Sequence, residues 1–216
     1  MSEFADKVVL ITGAGRGLGR VVAGEFAKRG ALVALNDLTP VNVDEVVVEI
    51  IAAGGRAKTY LTDVAKKVAV QTMLTDLLED WERIDILVNH ANVRPQRPLL
   101  DMDEWDWRRV IDVNLTGAFL VLQSVGRVMR ELGGGVIVNI GPSGQAGPEQ
   151  APHAAYLSAK AGVLELTRAA AHELAEYNIR VNAICPHEDE LELATQQVLE
   201  LCREEEGRTG EILNCV

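Results

Sequence analysis

The sequence predicts an α/β fold, a doubly wound parallel sheet of seven strands in a single domain spanning residues 1–216. Short β-branched runs alternate with longer stretches whose apolar residues recur every three or four positions. Runs such as Ile86-Leu87-Val88 and Ile137-Val138 are apolar throughout, as expected where helices cover both faces of a sheet. The connections are short and carry turn residues, as at Gly54-Gly55 and Gly133-Gly134-Gly135. Strands are expected at residues 8–12, 31–36, 57–61, 84–89, 135–140, 179–184 and 211–214. Helices are expected at 17–29, 41–53, 66–82, 103–131, 154–177 and 189–205, the fourth opening on a capping-box-like Asp101-x-x-Glu104. The sequence contains no linker, internal repeat or low-complexity segment.

Composition narrows the function classes. A chain of 216 residues, 48% hydrophobic and 25% charged, suffices for one sizeable core. With 21 basic against 32 acidic residues the net charge is −11, and no basic stripe is present to track phosphates, which argues against a nucleic-acid partner. The first apolar run, Val8 to Ile11, is too short for a signal core or a membrane span, so the expectation is a soluble cytoplasmic protein with no membrane partner. Cys185, Cys202 and Cys215 form no C-x-x-C pair and suit a reducing compartment. His90, His153, His172 and His187 lack metal-ligand spacing, so no metal is expected. The runs Glu188-Asp189-Glu190 and Glu204-Glu205-Glu206 read as solvated helix faces, and Trp105 and Trp107 as packing anchors.

Chemistry concentrates in a few segments. The first strand runs into Thr12-Gly13-Ala14-Gly15-Arg16-Gly17-Leu18-Gly19 and then an apolar-faced helix. Glycines there permit a tight turn and close backbone approach, so that helix N-terminal amides can hold a pyrophosphate; alone, the same run reads equally as a plain turn. Asp37 closes the second strand where a carboxylate accepts both ribose hydroxyls, and Asp63 ends the third, as an adenine contact or a simple turn former. Tyr156-Leu157-Ser158-Ala159-Lys160 places a phenol and an ammonium four residues apart on one helix face, where the cation favours the phenolate. Without context that pair reads as a surface helix pair. Asn114 is unfavourable by propensity in mid-helix, which points to a purpose.

Together these segments resemble the short-chain dehydrogenase/reductase family over residues 6–186. Thr12-Gly13-x-x-x-Gly17-x-Gly19 resembles its cofactor motif, Leu61-Thr62-Asp63-Val64 its adenine-binding Asp-Val pair, and Asn89-His90-Ala91-Asn92 its Asn-Asn-Ala-Gly segment. Ser143 precedes Tyr156 by thirteen positions, the family's distance between catalytic serine and tyrosine, and Asn114 resembles the helix asparagine of its proton relay. The resemblance implies an oxidoreductase moving a hydride between a nicotinamide and an alcohol or ketone carbon. Tyr156 would be the general acid in reduction and base in oxidation, Ser143 would hold the substrate oxygen, Lys160 would bind the nicotinamide ribose and favour the phenolate, and Asn114 would anchor a relay water. The implied cofactor contacts are Thr12, Gly13, Arg16, Gly17, Leu18, Gly19, Asp37, Asp63, Val64, Asn89, Ala91, Tyr156, Lys160 and Pro186. NAD(H) is expected rather than NADP(H): Asp37 repels a 2′-phosphate, Arg16 can pair with Asp37, and no basic residue stands at 38 or 39. A homodimer or homotetramer through the helices at 103–131 and 154–177 is also implied.

The sequence departs from the family in three places. His90 and Asn92 stand where Asn and Gly are usual. One residue more than usual separates Asn139 from Ser143, so the strand is expected to bulge or Pro142 to compete with Ser143 for the catalytic position, with Ser143 favoured by its distance to Tyr156. After Cys185-Pro186 the segment that folds over the substrate in relatives is expected to be missing. The alternative reading is therefore a dinucleotide-binding scaffold or regulatory subunit with little catalytic activity.

Overall fold

Alternation within β1 (Val8–Thr12) sets up the layers: Val9 and Ile11 face one helix layer, Val8 and Leu10 the other, and all are fully buried. In the computed structural model, which describes residues 3–143, 154–187, 189–203 and 207–214, β1 leads through the glycine loop to α1 (Gly17–Lys28). There follow β2 (Leu32–Asp37), α2 (Pro40–Ala52), β3 (Arg56–Leu61), α3 (Lys67–Trp81) and β4 (Ile86–Asn89). A long helical stretch comes next as α4 (Glu104–Ile111), a π-helical turn (Asp112–Gly117) and α5 (Ala118–Leu132). Then come β5 (Gly135–Ile140), α6 (Ala154–Leu174), β6 (Ile179–Cys185), α7 (Leu191–Leu201) and β7 (Ile212–Asn214). All seven strands pair in parallel in the order β3-β2-β1-β4-β5-β6-β7.

Helices α1, α2 and α7 cover one face of the sheet through Val22, Phe26, Val46, Ile50, Ala194 and Val198. Helices α3, α5 and α6 cover the other through Met73, Leu77, Val121, Val125, Met129 and Ala170. A two-sided core of this kind is what the uniformly apolar strands require. Because the order reverses at β1, whose neighbours β2 and β4 lead away in opposite directions, a crevice opens beyond the C-terminal ends of the central strands.

Buried polar side chains run across that end of the sheet. Thr12 Oγ1 donates to Asn89 Oδ1 (3.4 Å), Asn89 Nδ2 to Asn139 Oδ1 (3.3 Å) and to the Ala118 carbonyl (2.8 Å), and Asn139 Nδ2 to Thr167 Oγ1 (2.9 Å) on α6. Thr167 in turn donates to the Val163 carbonyl at 2.8 Å.

Three expectations are corrected. The helix expected at 103–131 is interrupted by the π turn at Asp112–Gly117, and its cap is Asp103, whose carboxylate accepts from the Asp106 amide at 2.7 Å, while Asp101 lies in a preceding 3₁₀ turn (Leu99–Asp101). Trp105 and Trp107 are 67% and 39% exposed and so are not core anchors; Trp105 instead lies under the Arg109 guanidinium. The strand before Ser143 does not bulge: β5 stays in register with β6 through Ile140, opposite Ile184, and Gly141 and Pro142 absorb the extra residue. Asp189 and Glu190 are exposed ahead of α7, whereas His153, Glu188 and the glutamates at 204–206 lie outside the described residues. No helix among the described residues is long and apolar enough to cross a membrane.

Removing the Thr167 hydroxyl strands the Asn139 amide in the core, at a cost of about 1–3 kcal/mol. Urea denaturation of Thr167→Val should show that loss, and Thr167→Ser, which keeps the hydroxyl, should lose clearly less. The reverse order would mean that the methyl group matters and the hydrogen bond does not.

Candidate active site

The glycine loop leaves no room for a side chain at Gly13, Gly15 and Gly19. A Cβ on Gly19 would stand 2.5 Å from the Gly13 carbonyl oxygen and 2.8 Å from His90 Nδ1. Gly17, at φ +55°, opens α1 with nothing within 4 Å of where its Cβ would be. Among the described residues no side-chain hydrogen bond caps that helix at Arg16, which leaves its first amides as donors of the kind a phosphate takes.

At the end of β2 the Asp37 carboxylate is held by three amides, Oδ2 accepting from Gly15 (3.0 Å) and Oδ1 from Leu38 (2.8 Å) and Thr39 (3.2 Å). Asp63 bonds the Ala65 amide at 3.0 Å, as a turn former does, and also lines the cleft. That cleft, about 250 Å³, brings together Gly13, Arg16, Asp37, Asp63, Val64 and Ala91, so the residues present fit a dinucleotide. The expected pairing of Arg16 with Asp37 is not made among the described residues, where the carboxylate is held by the three amides instead. A larger hollow of about 950 Å³ lies at the opposite ends of the strands, around Lys7, Asp85 and Arg180, away from all of these groups.

The second cluster stands beyond β5. Ser143 Oγ and the Tyr156 hydroxyl are 3.2 Å apart, and the Ser143 amide also donates to that hydroxyl at 3.2 Å. Pro142 has no such placement and offers no hydroxyl. Lys160, one helical turn after Tyr156, is buried and donates to the Ile140 carbonyl at 2.6 Å. Burial pushes its ammonium down to about 8, against a smaller raising effect of nearby Cys185.

The sequence profile described as short chain dehydrogenase matches residues 7–200. The chain belongs to the short-chain dehydrogenase/reductase family. It is 41% identical over 185 residues to an uncharacterized oxidoreductase of Thermotoga maritima, covering 85% of this chain and 72% of that protein. It is 40% identical over 189 residues to a 3-oxoacyl-[acyl-carrier-protein] reductase of Synechocystis, covering 86% of this chain and 75% of that one. A crystal structure of NAD⁺-bound xylitol dehydrogenase superposes with a TM-score of 0.89 at 28% identity, over 99% of this chain and 98% of the other. Both the oxidoreductase class and the doubly wound fold follow from this membership.

Within this family member the remaining candidate residues are placed as follows. Asn89 spends its side chain inside the protein, and Leu18 is buried in the core at the start of α1. Pro186 is buried just past β6, and His187 and Asp189 lead at once to α7. Asn114, fully buried in the π turn, grips the backbone of Val93 from both sides: its Oδ1 accepts from the amide (2.8 Å) and its Nδ2 donates to the carbonyl (2.9 Å). A π turn sets such a side chain off the regular helical track.

Two residues with a part in the site were not predicted by sequence. Arg94 lies over the Tyr156 ring, and nothing in the sequence distinguishes it from Arg97 in the same loop, which a proline also follows. His90 was visible only as a departure from the family pattern. Its Nδ1 carries the proton, donated to the Gly13 carbonyl at 3.0 Å, while its amide donates to Thr12 Oγ1 at 3.0 Å. Burial first, and the Lys160 charge second, push the imidazole down to about 4.

Neutral His90 makes folding sensitive to acid. Its folded value of about 4 lies below the usual 6.5, so between them the unfolded chain binds the proton and the native one does not. Stability should therefore fall as pH drops from about 6.5 towards 4, with a His90 share on the order of 2 kcal/mol by about pH 5. His90→Asn should lose less stability than wild type between pH 7 and 5 in denaturant titrations, and parallel curves would remove His90 as the cause.

Proposed function

We propose that this protein moves a hydride between NAD(H) and an alcohol or ketone carbon, with Tyr156 as general acid in reduction and general base in oxidation. The observation that carries the proposal is the convergence of Ser143 Oγ and the Tyr156 hydroxyl, 3.2 Å apart, at the strand ends where the cleft lined by Gly13, Asp37 and Asp63 also opens. A carbonyl oxygen held between two such hydroxyls is polarised by both, and the phenol is within reach to give or take the one proton that hydride transfer requires. When bound, the nicotinamide supplies or accepts the hydride. Ser143 orients the substrate oxygen. Lys160 places its charge one turn from Tyr156 on the same face of α6, which favours the phenolate in the oxidative direction. Asn114 fixes the strand-end segment that borders the site, and the interrupted helix around it is suited to anchoring a relay water.

The glycine loop, from Thr12 to Gly19, would hold the pyrophosphate, Asp37 the adenosine ribose, Asp63 and Val64 the adenine, and Ala91, Lys160 and Pro186 the nicotinamide end. Asp37 supports NAD(H), since its carboxylate, fixed by three amides at the end of β2, meets a 2′-phosphate with a charge of the same sign. Arg16, which has no carboxylate partner among the described residues, pulls the other way, as does Arg109 on the same cleft. Side-by-side dissociation constants should favour NADH over NADPH, and Asp37→Ala should narrow the gap; tighter NADPH binding by the wild type would end this assignment.

The short passage from Pro186 to α7 supports an active site without a substrate lid, and with it a second reading as a dinucleotide-binding protein of little turnover. An uncovered site grips its substrate weakly, so steady-state assays on a ketone panel should give a high KM. In the same assays Tyr156→Phe should lower kcat by roughly 10²–10⁴-fold while NADH affinity stays nearly intact, and Lys160→Ala should weaken both. If Tyr156→Phe kept most of the wild-type rate, the acid/base role would fall, and a wild type that turned over no ketone of the panel while binding NADH would favour the binding-protein reading.

A further inference from the structure

Arg109, on α4, is a charged side chain that the proposed hydride transfer does not use. In a chain of net charge −11 arginines readily find carboxylates, as Arg108 does with Glu104, Arg20 with Glu49 and Arg56 with Asp6. Arg109 makes no ion pair among the described residues, although Asp37 and Asp63 line the same cleft. Its guanidinium carbon instead lies over the Trp105 ring one helical turn back, 5.9 Å from the ring centre. Trp105 is mostly exposed and is not part of the cleft wall, so the half-buried Arg109 stands between the indole and the cleft. The wall around it suits a flat ring with a polar edge. Val113, one turn after Arg109, and Val64 are buried apolar side chains on the cleft. Asp63 gives one carboxylate oxygen to the Ala65 amide, and its other oxygen is left to accept from a ligand.

We propose that Arg109, backed by Trp105, covers the adenine ring of the bound dinucleotide by stacking its guanidinium on the base. This rests on the reading that Asp37, Asp63 and Val64 receive the adenosine half. A guanidinium is planar and weakly hydrated, so it can lie against an aromatic face on each side, which a compact, strongly hydrated ammonium cannot do. With the indole on one side, the other is left for the base. The indole also restrains the long side chain before the dinucleotide arrives, which reduces the rotamer freedom lost on binding. The same stack gives the exposed indole a purpose that core packing does not.

The test is titration calorimetry of the whole protein with NADH and with ADP-ribose, which keeps the adenosine half and lacks the nicotinamide. Arg109→Met should weaken both by the same factor, roughly 3- to 30-fold. Arg109→Lys, which keeps the charge and loses the plane, should recover little of that loss. Trp105→Leu should lose part of the affinity by itself and add nothing in an Arg109→Met background, because its effect runs through the guanidinium. Unchanged NADH affinity in Arg109→Met or in Trp105→Leu, full recovery in Arg109→Lys, or a loss with NADH that ADP-ribose does not share overturns the inference and leaves the cofactor reading standing. So does a loss confined to NADPH, which would make Arg109 a ligand of the 2′-phosphate. A wild type that binds neither NADH nor ADP-ribose overturns both.

Discussion

Everything at the working end of this molecule hangs on a row of buried polar side chains that crosses the sheet at one level. Thr12, Asn89, Asn139 and Thr167 stand on β1, β4, β5 and α6, and each bonds the next. Parallel strands supply their own backbone ladder, but the ladder runs out where the strands end, and there side chains must tie neighbouring elements together. Because the row is buried, each member that lost its partner would carry the full cost of an unsatisfied polar group. The glycine loop at one end and the Tyr156–Lys160 helix at the other are thereby held at a fixed spacing.

A second tie sets the rim. The π turn in the long helical stretch carries Asn114 to the Val93 backbone, where its amide bonds both the N–H and the C=O. That contact holds the segment leaving β4 and so decides where Arg94 stands. The same segment begins with His90, which is bonded to the glycine loop through Gly13 and Thr12. One short stretch, residues 89–94, therefore links the loop suited to a phosphate, the polar row and the pair of hydroxyls. Substitutions within it are expected to couple, since they share partners.

Membership of the short-chain dehydrogenase/reductase family and the geometry bear on different questions. The first makes the chain an oxidoreductase with a doubly wound fold. Only the geometry speaks to this particular chain: Asp37 braced by three amides, a lysine turned to the Ile140 carbonyl, and an arginine over the tyrosine.

The sequence by itself determined the strands, their helices and the parallel sheet, because apolar periodicity and glycine-marked turns are local properties of the chain. Candidate residues were legible where chemistry depends on spacing along the chain, as for the glycine loop, Asp37 and the Tyr156–Lys160 pair. Two cases needed the tertiary structure for opposite reasons. The extra residue before Ser143 suggested a bulge, but strand pairing with β6 kept β5 regular and passed the slack to Gly141 and Pro142. The periodicity of residues 103–131 suggested an unbroken helix, whereas the need to reach Val93 with Asn114 is met by a π turn that no local pattern signals. Arg94 and His90 acquire their surroundings from segments 49 and 77 residues away, Ser143 and Gly13. Contacts of that range depend on how the crossovers bring strand ends together, and only the folded sheet decides it.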